Sequence, residues 1–191
     1  QALQYEEDLP TGVTEALKRL EAETDRLTDF LKSFHGFAAP QATQPESVPL
    51  EAAVADVLFW LRKEARSLGI EIVSDIALDL SVLADLHQIK QVLLNLAMNA
   101  VHAMPQGGRL EIGAHPVDGG FAEIVVRDSG DGIAPDLLTR IFDPFFTTRA
   151  DGTGLGLAIV RKIAHAHGAI LTVDSTVGQG SCFTLRWPLS R

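Results

Sequence analysis

Five of the sixteen glycines in this 191-residue chain stand between Asp128 and Leu157, where they force regular structure to break. Asp128-Ser-Gly-Asp-Gly-Ile comes first, then Ile141-Phe-Asp-Pro-Phe-Phe-Thr-Thr-Arg149, then Gly152-Thr-Gly-Leu-Gly-Leu157. Glycine reaches positive φ without steric cost and lets the backbone approach a flat ligand closely. A carboxylate in a glycine-rich turn, an aromatic segment and a glycine-rich entry to a helix describe a pocket rather than a core. The rest of the chain has to hold it.

Before that stretch, the pattern to about Phe37 is helical. Val13, Leu17, Leu20, Thr24, Leu27, Leu31 and Phe34 alternate steps of four and three, an a/d heptad seam. Charged residues fill the other faces, and Phe30 widens the stripe toward a bundle. Self-association through this helix is the expectation; packing on its own domain is the alternative. Phe37 to Pro49 holds three prolines and little to bury, so it reads as a linker. The reading divides the chain into a helical segment 1–37, a linker 38–47 and a globular domain 48–191.

In the second segment helices and strands alternate. Glu51–Ser67 is predicted as an amphipathic helix stopped by Gly69, with short strands over Ile70–Ile76 and Ser81–Ala84. A long helix runs from Asp85 or Leu86 to Met104, before Pro105-Gln-Gly-Gly108. Arg109–His115 and Phe121–Arg127 make a hairpin. Pro135–Ile141 is predicted as a short helix and Gly154–His167 as another, with strands over Ala169–Ser175 and Ser181–Pro188. The expected class is α+β, a two-layer sandwich of three main helices on one mixed sheet, preceded by a coiled-coil or bundle helix.

Composition narrows the partners. A net charge of −9 and the lack of a basic stripe exclude nucleic acid as a ligand class. No apolar run reaches the ~20 residues of a membrane span, so no membrane contact is expected within this segment. The lone Cys182 precludes an internal disulfide and fits a reducing, cytoplasmic compartment. The chain starts at Gln1, so an anchor or a further segment is expected to lie outside it.

Asn95, Asn99 and His102 recur at steps of four and three and share one face of the long helix. Amide carbonyl oxygens are hard ligands suited to Mg²⁺, which keeps waters and takes phosphate oxygens; a solvated polar face is the alternative. Asp128 at a strand end can accept a hydrogen bond from an exocyclic amine, with Gly130, Gly132 and Ile133 shaping the turn. Free N–H groups at the start of a helix make Gly152, Thr153, Gly154, Leu155, Gly156 and Leu157 an anion site. No strand directly precedes that loop, and it lacks a Gly-Lys-Ser/Thr ending, which excludes the dinucleotide and Walker A motifs.

In this order and spacing, the elements resemble the ATP-binding domain of sensor histidine kinases and the wider GHKL superfamily. Asn95-x-x-x-Asn99-Ala is similar to the N box, and Asp128-Ser-Gly-Asp-Gly-Ile to the G1 box. Phe142-Asp-Pro-Phe-Phe-Thr-Thr-Arg149 resembles the F box, and Gly152-Thr-Gly-Leu-Gly-Leu157 the G2 box. Gly178-Gln-Gly-Ser181 with Phe183-Thr-Leu resembles the closing glycine pair and strand. The Phe-Phe-Thr-Thr and Asn-Ala-Val-His-Ala-Met forms look most like the nitrogen-regulation type.

The resemblance implies a Bergerat-type fold over about residues 45–190, with ATP and Mg²⁺ as cofactors. Asp128 would bind the adenine amine, and Asn95 and Asn99 would be the catalytic pair, with Asn99 on the metal. His102 and Arg149 would reach phosphate, Thr148 would lie in a short lid over Thr147–Thr153, and Thr184 would stand on the adenine side. The implied partners are a response-regulator receiver domain and a second copy joined through the heptad helix. None of the six histidines has the acidic and proline setting of the family's phosphoacceptor, so the acceptor is expected upstream of Gln1. Two rivals are an ATP-hydrolysing relative and a nucleotide-binding module without phosphotransfer. The ATPases place a Glu general base where Asn95 stands, and an amide cannot take a proton from water.

Overall fold

A computed structural model describes residues 12–21, 24, 43–149 and 152–190. Residues 12–21 are helical, and their seam residues Val13, Leu17 and Leu20 are exposed. The rest of the predicted seam (Leu27, Leu31, Phe34), Phe30, His35 and most of the linker lie outside the described residues.

The next strand, β1 (Glu46–Pro49), falls at the end of the stretch read as a linker. It pairs antiparallel with β3 (Ser81–Ala84), from Glu46 opposite Ala84 to Pro49 opposite Ser81. Val48 supplies the buried side chain that makes the pairing worthwhile. Proline is compatible with such a two-stranded edge, where one side of the strand needs no donor. Two prolines around a single buried valine hid this strand from periodicity.

Helix α1 (Leu50–Ser67) buries Leu50, Ala53, Val54, Val57, Leu58, Leu61 and Ala65, one stripe at helical spacing. Gly69, at φ 71°, turns the chain into β2 (Ile70–Ile76). Helix α2 (Leu86–His102) starts at Asp85, whose side chain accepts from the N–H groups of His87 and Gln88. Asp85 is thus the N-cap of the helix. β4 (Gly108–Val117) and β5 (Phe121–Asp128) form the predicted hairpin, closed by Val117 opposite Phe121. Helix α3 (Gly156–Ala166), β6 (Ile170–Thr176) and β7 (Gly180–Pro188) complete the chain.

Two helix predictions change. Pro135–Ile141 is a run of turns, with Leu137 N–H on Ala134 O, Arg140 N–H on Leu137 O and Asp143 N–H on Arg140 O, and one helix-type bond, Ile141 N–H on Leu137 O. Pro135 brings no N–H of its own and Pro144 follows closely, so three-residue bonds win over a helix ladder. The last helix begins at Gly156 rather than Gly154, because Gly154 sits at φ 66°, outside the right-handed region.

The main sheet has the order β2-β4-β5-β7-β6, with β2 and β4 parallel and the rest antiparallel. All three helices lie on one face, giving the expected two-layer α+β sandwich. Alternation makes the division visible: Leu110, Ile112, Ala114, Ala122, Ile124, Val126, Phe183, Leu185 and Trp187 point into the core. Trp187 is fully buried, and its indole N–H donates to Leu83 O at 3.0 Å. His167 packs against that ring, tilted by 43° with centroids 4.9 Å apart, accepts from Asp85 N–H at 3.0 Å through Nε2, and its Nδ1 lies 2.9 Å from Ile163 O. The end of α3 is thereby tied to the start of α2. That lock sets the separation of the two helices that flank the cleft.

Candidate functional site

The helices do not close over the whole sheet. Between α2, the end of β5, the turns after Ala134 and the start of α3 they leave a cleft of about 680 Å³. That is the size of a small-molecule site. Its wall includes Asn95, Asn99 and His102 from α2, Asp128, Gly132 and Ile133 from the β5 turn, and Thr148, Arg149, Gly152, Thr153, Gly154, Gly156 and Leu157 from the loop entering α3.

Asp128 is one of three buried polar or charged residues among those described, only 5% exposed. Its Oδ1 accepts from Gly130 N–H at 2.8 Å and from Ser181 N–H at 3.2 Å. Both bonds fall on one oxygen, so Oδ2 keeps its acceptor capacity for a ligand. Burial pushes the carboxyl above the ordinary aspartate range; the two N–H donors pull it back only in part, and the nearby Asp131 charge adds to the rise. A buried carboxylate held by backbone donors at a cleft wall, with its second oxygen unspent, has the chemistry to accept a hydrogen bond from a ligand, and its burial carries a desolvation cost.

The turn is held so tightly that side chains are excluded from it. A Cβ on Gly132, at φ 69°, would run into Thr176 O, and one on Gly180 into Asp128 O. Asp131 O accepts from Gly178 N–H at 2.8 Å, which joins the turn to the β6–β7 hairpin. Gly130 packs on Ala103 behind the wall rather than in it.

At the opposite end, α3 begins without a side-chain cap; its N-cap residue is Leu155. The N–H groups of its first turn have no side-chain acceptor and stand where the sequence leads one to expect an anion site. Leu155 itself is fully buried, so it anchors the loop in the core and contributes backbone alone. Asn95 Nδ2 donates to Gly156 O at 3.2 Å and so ties α2 to this helix start. Thr147 Oγ1 accepts from Arg149 N–H at 3.1 Å and shapes the loop ahead of it. Arg140 lies 4.6 Å from the centre of the Phe146 ring, which forms part of the wall.

Thr184 is not brought to the cleft. It stands on the other face of the sheet beside Cys182, whereas Ser181 and Phe183 line the cleft. Side chains along a strand alternate, so Ser181 and Phe183 face the cleft and Thr184 faces away from it. Gln91 and Met98 on the α2 face were also missed. Gln91 lies one turn before Asn95 and extends that face, whereas Met98 lies within it, three residues after Asn95 and one turn before His102.

Among the described residues, no group of three or more His, Cys, Asp or Glu could hold a metal. A divalent cation here would take its ligands from phosphate, water and an amide oxygen. The Asn99 carboxamide is a hard donor of that kind, and it faces the same cleft as the free N–H groups of α3. The donor set fits Mg²⁺ accompanying a polyphosphate.

Comparison with known proteins follows the same lines. Residues 84–191 match the family model for histidine kinase-, DNA gyrase B- and HSP90-like ATPases. The sensor histidine kinase ZraS of Salmonella typhimurium is 38% identical over 87% of this chain and 36% of its own length. The chain thus spans about a third of that relative. The full-length structure of ShkA with AMPPNP superposes with a TM-score of 0.83 at 31% identity, over 96% of this chain and 40% of that one. The histidine kinase ThkA in complex with the response regulator protein TrrA gives 0.79 at 28% identity, over 96% and 53%.

Proposed function

The chain belongs to the HATPase_c family of histidine kinase-, DNA gyrase B- and HSP90-like ATPases, and we propose that it is the catalytic region of a two-component sensor histidine kinase. In this reading the cleft binds Mg·ATP. Asp128 Oδ2 accepts from the adenine amine, the first-turn N–H groups of α3 hold phosphate, and His102, Thr148 and Arg149 border the phosphate end. Asn99 holds the Mg²⁺, which supplies charge neutralisation on the polyphosphate when bound. A histidine imidazole nitrogen attacks the γ-phosphorus, the bond to the bridging oxygen breaks, and ADP leaves. The phosphoryl group then passes to an aspartate of a response-regulator receiver domain. The structure of ThkA with TrrA supports that partner class.

One observation carries the reading: a buried, backbone-held carboxylate faces across a single cleft toward an uncapped helix start. The first reads a base and the second reads phosphate. Asn95 argues against hydrolysis as the purpose of the site. It is an amide committed through Nδ2 to Gly156 O, with no basic atom for activating water.

The acceptor imidazole in this proposal belongs to a bundle helix outside the six histidines of this chain. Homodimerisation runs through the heptad helix; Val13, Leu17 and Leu20, at 42%, 50% and 64% exposed, supply the apolar stripe in its described part.

Titration calorimetry tests the site. The full chain is expected to bind ATP more tightly with Mg²⁺ than without it. Asn99→Ala should remove most of that difference while leaving the weaker metal-free binding intact. Equal loss with and without Mg²⁺ would contradict the role given to Asn99.

A further inference from the structure

Ser175 stands one residue back from the cleft wall, near the end of β6, with three hydrogen-bond partners at its single hydroxyl. It accepts from Ile133 N–H at 2.8 Å, donates to Gly180 O at 2.9 Å, and lies 3.0 Å from Ser181 Oγ. A serine hydroxyl has one hydrogen and two acceptor positions. With that hydrogen on Gly180 O, the contact with Ser181 can be filled only by the Ser181 hydrogen. Ser181 therefore spends its one donor on Ser175 and keeps acceptor capacity alone.

Ser181 lines the cleft and is itself buried, and its N–H holds Asp128 Oδ1 at 3.2 Å. At neutral pH the ionised Asp128 also offers only acceptors. Two acceptors, side by side and screened from water, then meet whatever part of the ligand enters this end. Such a pair favours an amine and penalises a carbonyl oxygen, which finds no donor there.

We propose that Ser175 is a specificity-determining residue: by fixing the direction of the Ser181 hydroxyl it makes the base end of the cleft acceptor-only, selecting 6-amino over 6-oxo purines. The proposal rests on the adenine end being at Asp128. Ser175 acts through Ser181 and touches no substrate, so it is a positioning residue. With alanine at 175 the Ser181 hydroxyl is released to rotate and donate to a 6-oxo group.

The test compares ATP with ITP, which differ at the purine 6-position, by calorimetry on the full chain with Mg²⁺. The unsubstituted chain should prefer ATP. Ser175→Ala should lower the ATP:ITP affinity ratio by about tenfold, chiefly through tighter ITP binding, the scale of one hydrogen bond gained. Ser175→Thr keeps the hydroxyl and should restore the ratio. Ser181→Ala removes the second acceptor without touching Ile133 or Gly180, and should also lower the ratio. It decides the matter if Ser175→Ala does not fold. A merely structural role would weaken both nucleotides together and leave the ratio unchanged, which overturns the proposal. Failure of the unsubstituted chain to bind either nucleotide overturns the nucleotide reading itself. Tight ATP binding with an unmoved ratio overturns the Ser175 assignment alone.

Discussion

Asp128 combines two demands that pull against each other. In the proposed site its buried charge accepts from an amine, yet burial raises its pKa and so costs the ligand-free fold stability. A raised folded-state pKa means that the stability contribution is present at low pH and is lost as the pH rises through that value. Asp128→Asn keeps an oxygen for the N–H groups of Gly130 and Ser181 while removing the charge. The ligand-free variant should therefore unfold at the same or a higher temperature at pH 7, and any advantage should shrink on acidification. Its affinity for Mg·ATP should fall by about 1–3 kcal/mol, the range for a lost hydrogen bond to a charged group. Thermal melts and calorimetry across pH check both halves. Unchanged affinity would remove Asp128 from the recognition site. In the unsubstituted protein, affinity should decline as the pH falls through the raised Asp128 pKa.

Among the elements, α2 lines one side of the cleft with Asn95, Asn99 and His102, and its start depends on Asp85. Burial pushes that carboxyl up, but N–H groups of Gln88, Gln44 and His87 outweigh it and hold it below the ordinary aspartate range. A lowered folded-state pKa gives stability that is present above the unfolded value and lost as the pH falls through the folded one. Asp85→Ala should cost about 1 kcal/mol in urea unfolding at neutral pH, the usual cost of a lost N-cap. The deficit against the unsubstituted protein should close in acid; a deficit that persists at acid pH would reject this account. The cap was not singled out in the sequence, although Asp85 was noted as a possible helix start. The alternating strands and the long helices were legible because each buries one face at its own period. Pro135–Ile141 was not, since a proline at a first turn predicts a helix only when a hydrogen-bond ladder follows. β1 was hidden by its prolines, and Thr184 was placed on the adenine side because strand parity had not been set. The cleft positions of Asn95, Asn99 and Asp128 were legible for a different reason: a step of four puts both amides on one helix face, and a Gly-rich turn follows the aspartate at its strand end.

For the molecule as a whole, one layer of helices on one sheet leaves a gap where the turns after β5 replace a helix, and the cleft fills it. His167 and Trp187 hold the far ends of α2 and α3 together, so that the near ends stay at a fixed distance across the gap. No helix among the described residues is long and apolar enough to cross a membrane. The central claim is that this gap delivers the γ-phosphoryl group of ATP to a histidine. The most direct measurement incubates the full chain with Mg²⁺ and γ-labelled ATP, with the acceptor-helix domain of a related sensor kinase supplied at high concentration. The account predicts label on that domain, stable in base and lost in acid as phosphohistidine is, and absent when the chain carries Asp128→Asn at limiting ATP. Rapid release of inorganic phosphate that is abolished by Asn95→Ala, with no label on the acceptor, would contradict it and identify an ATPase instead.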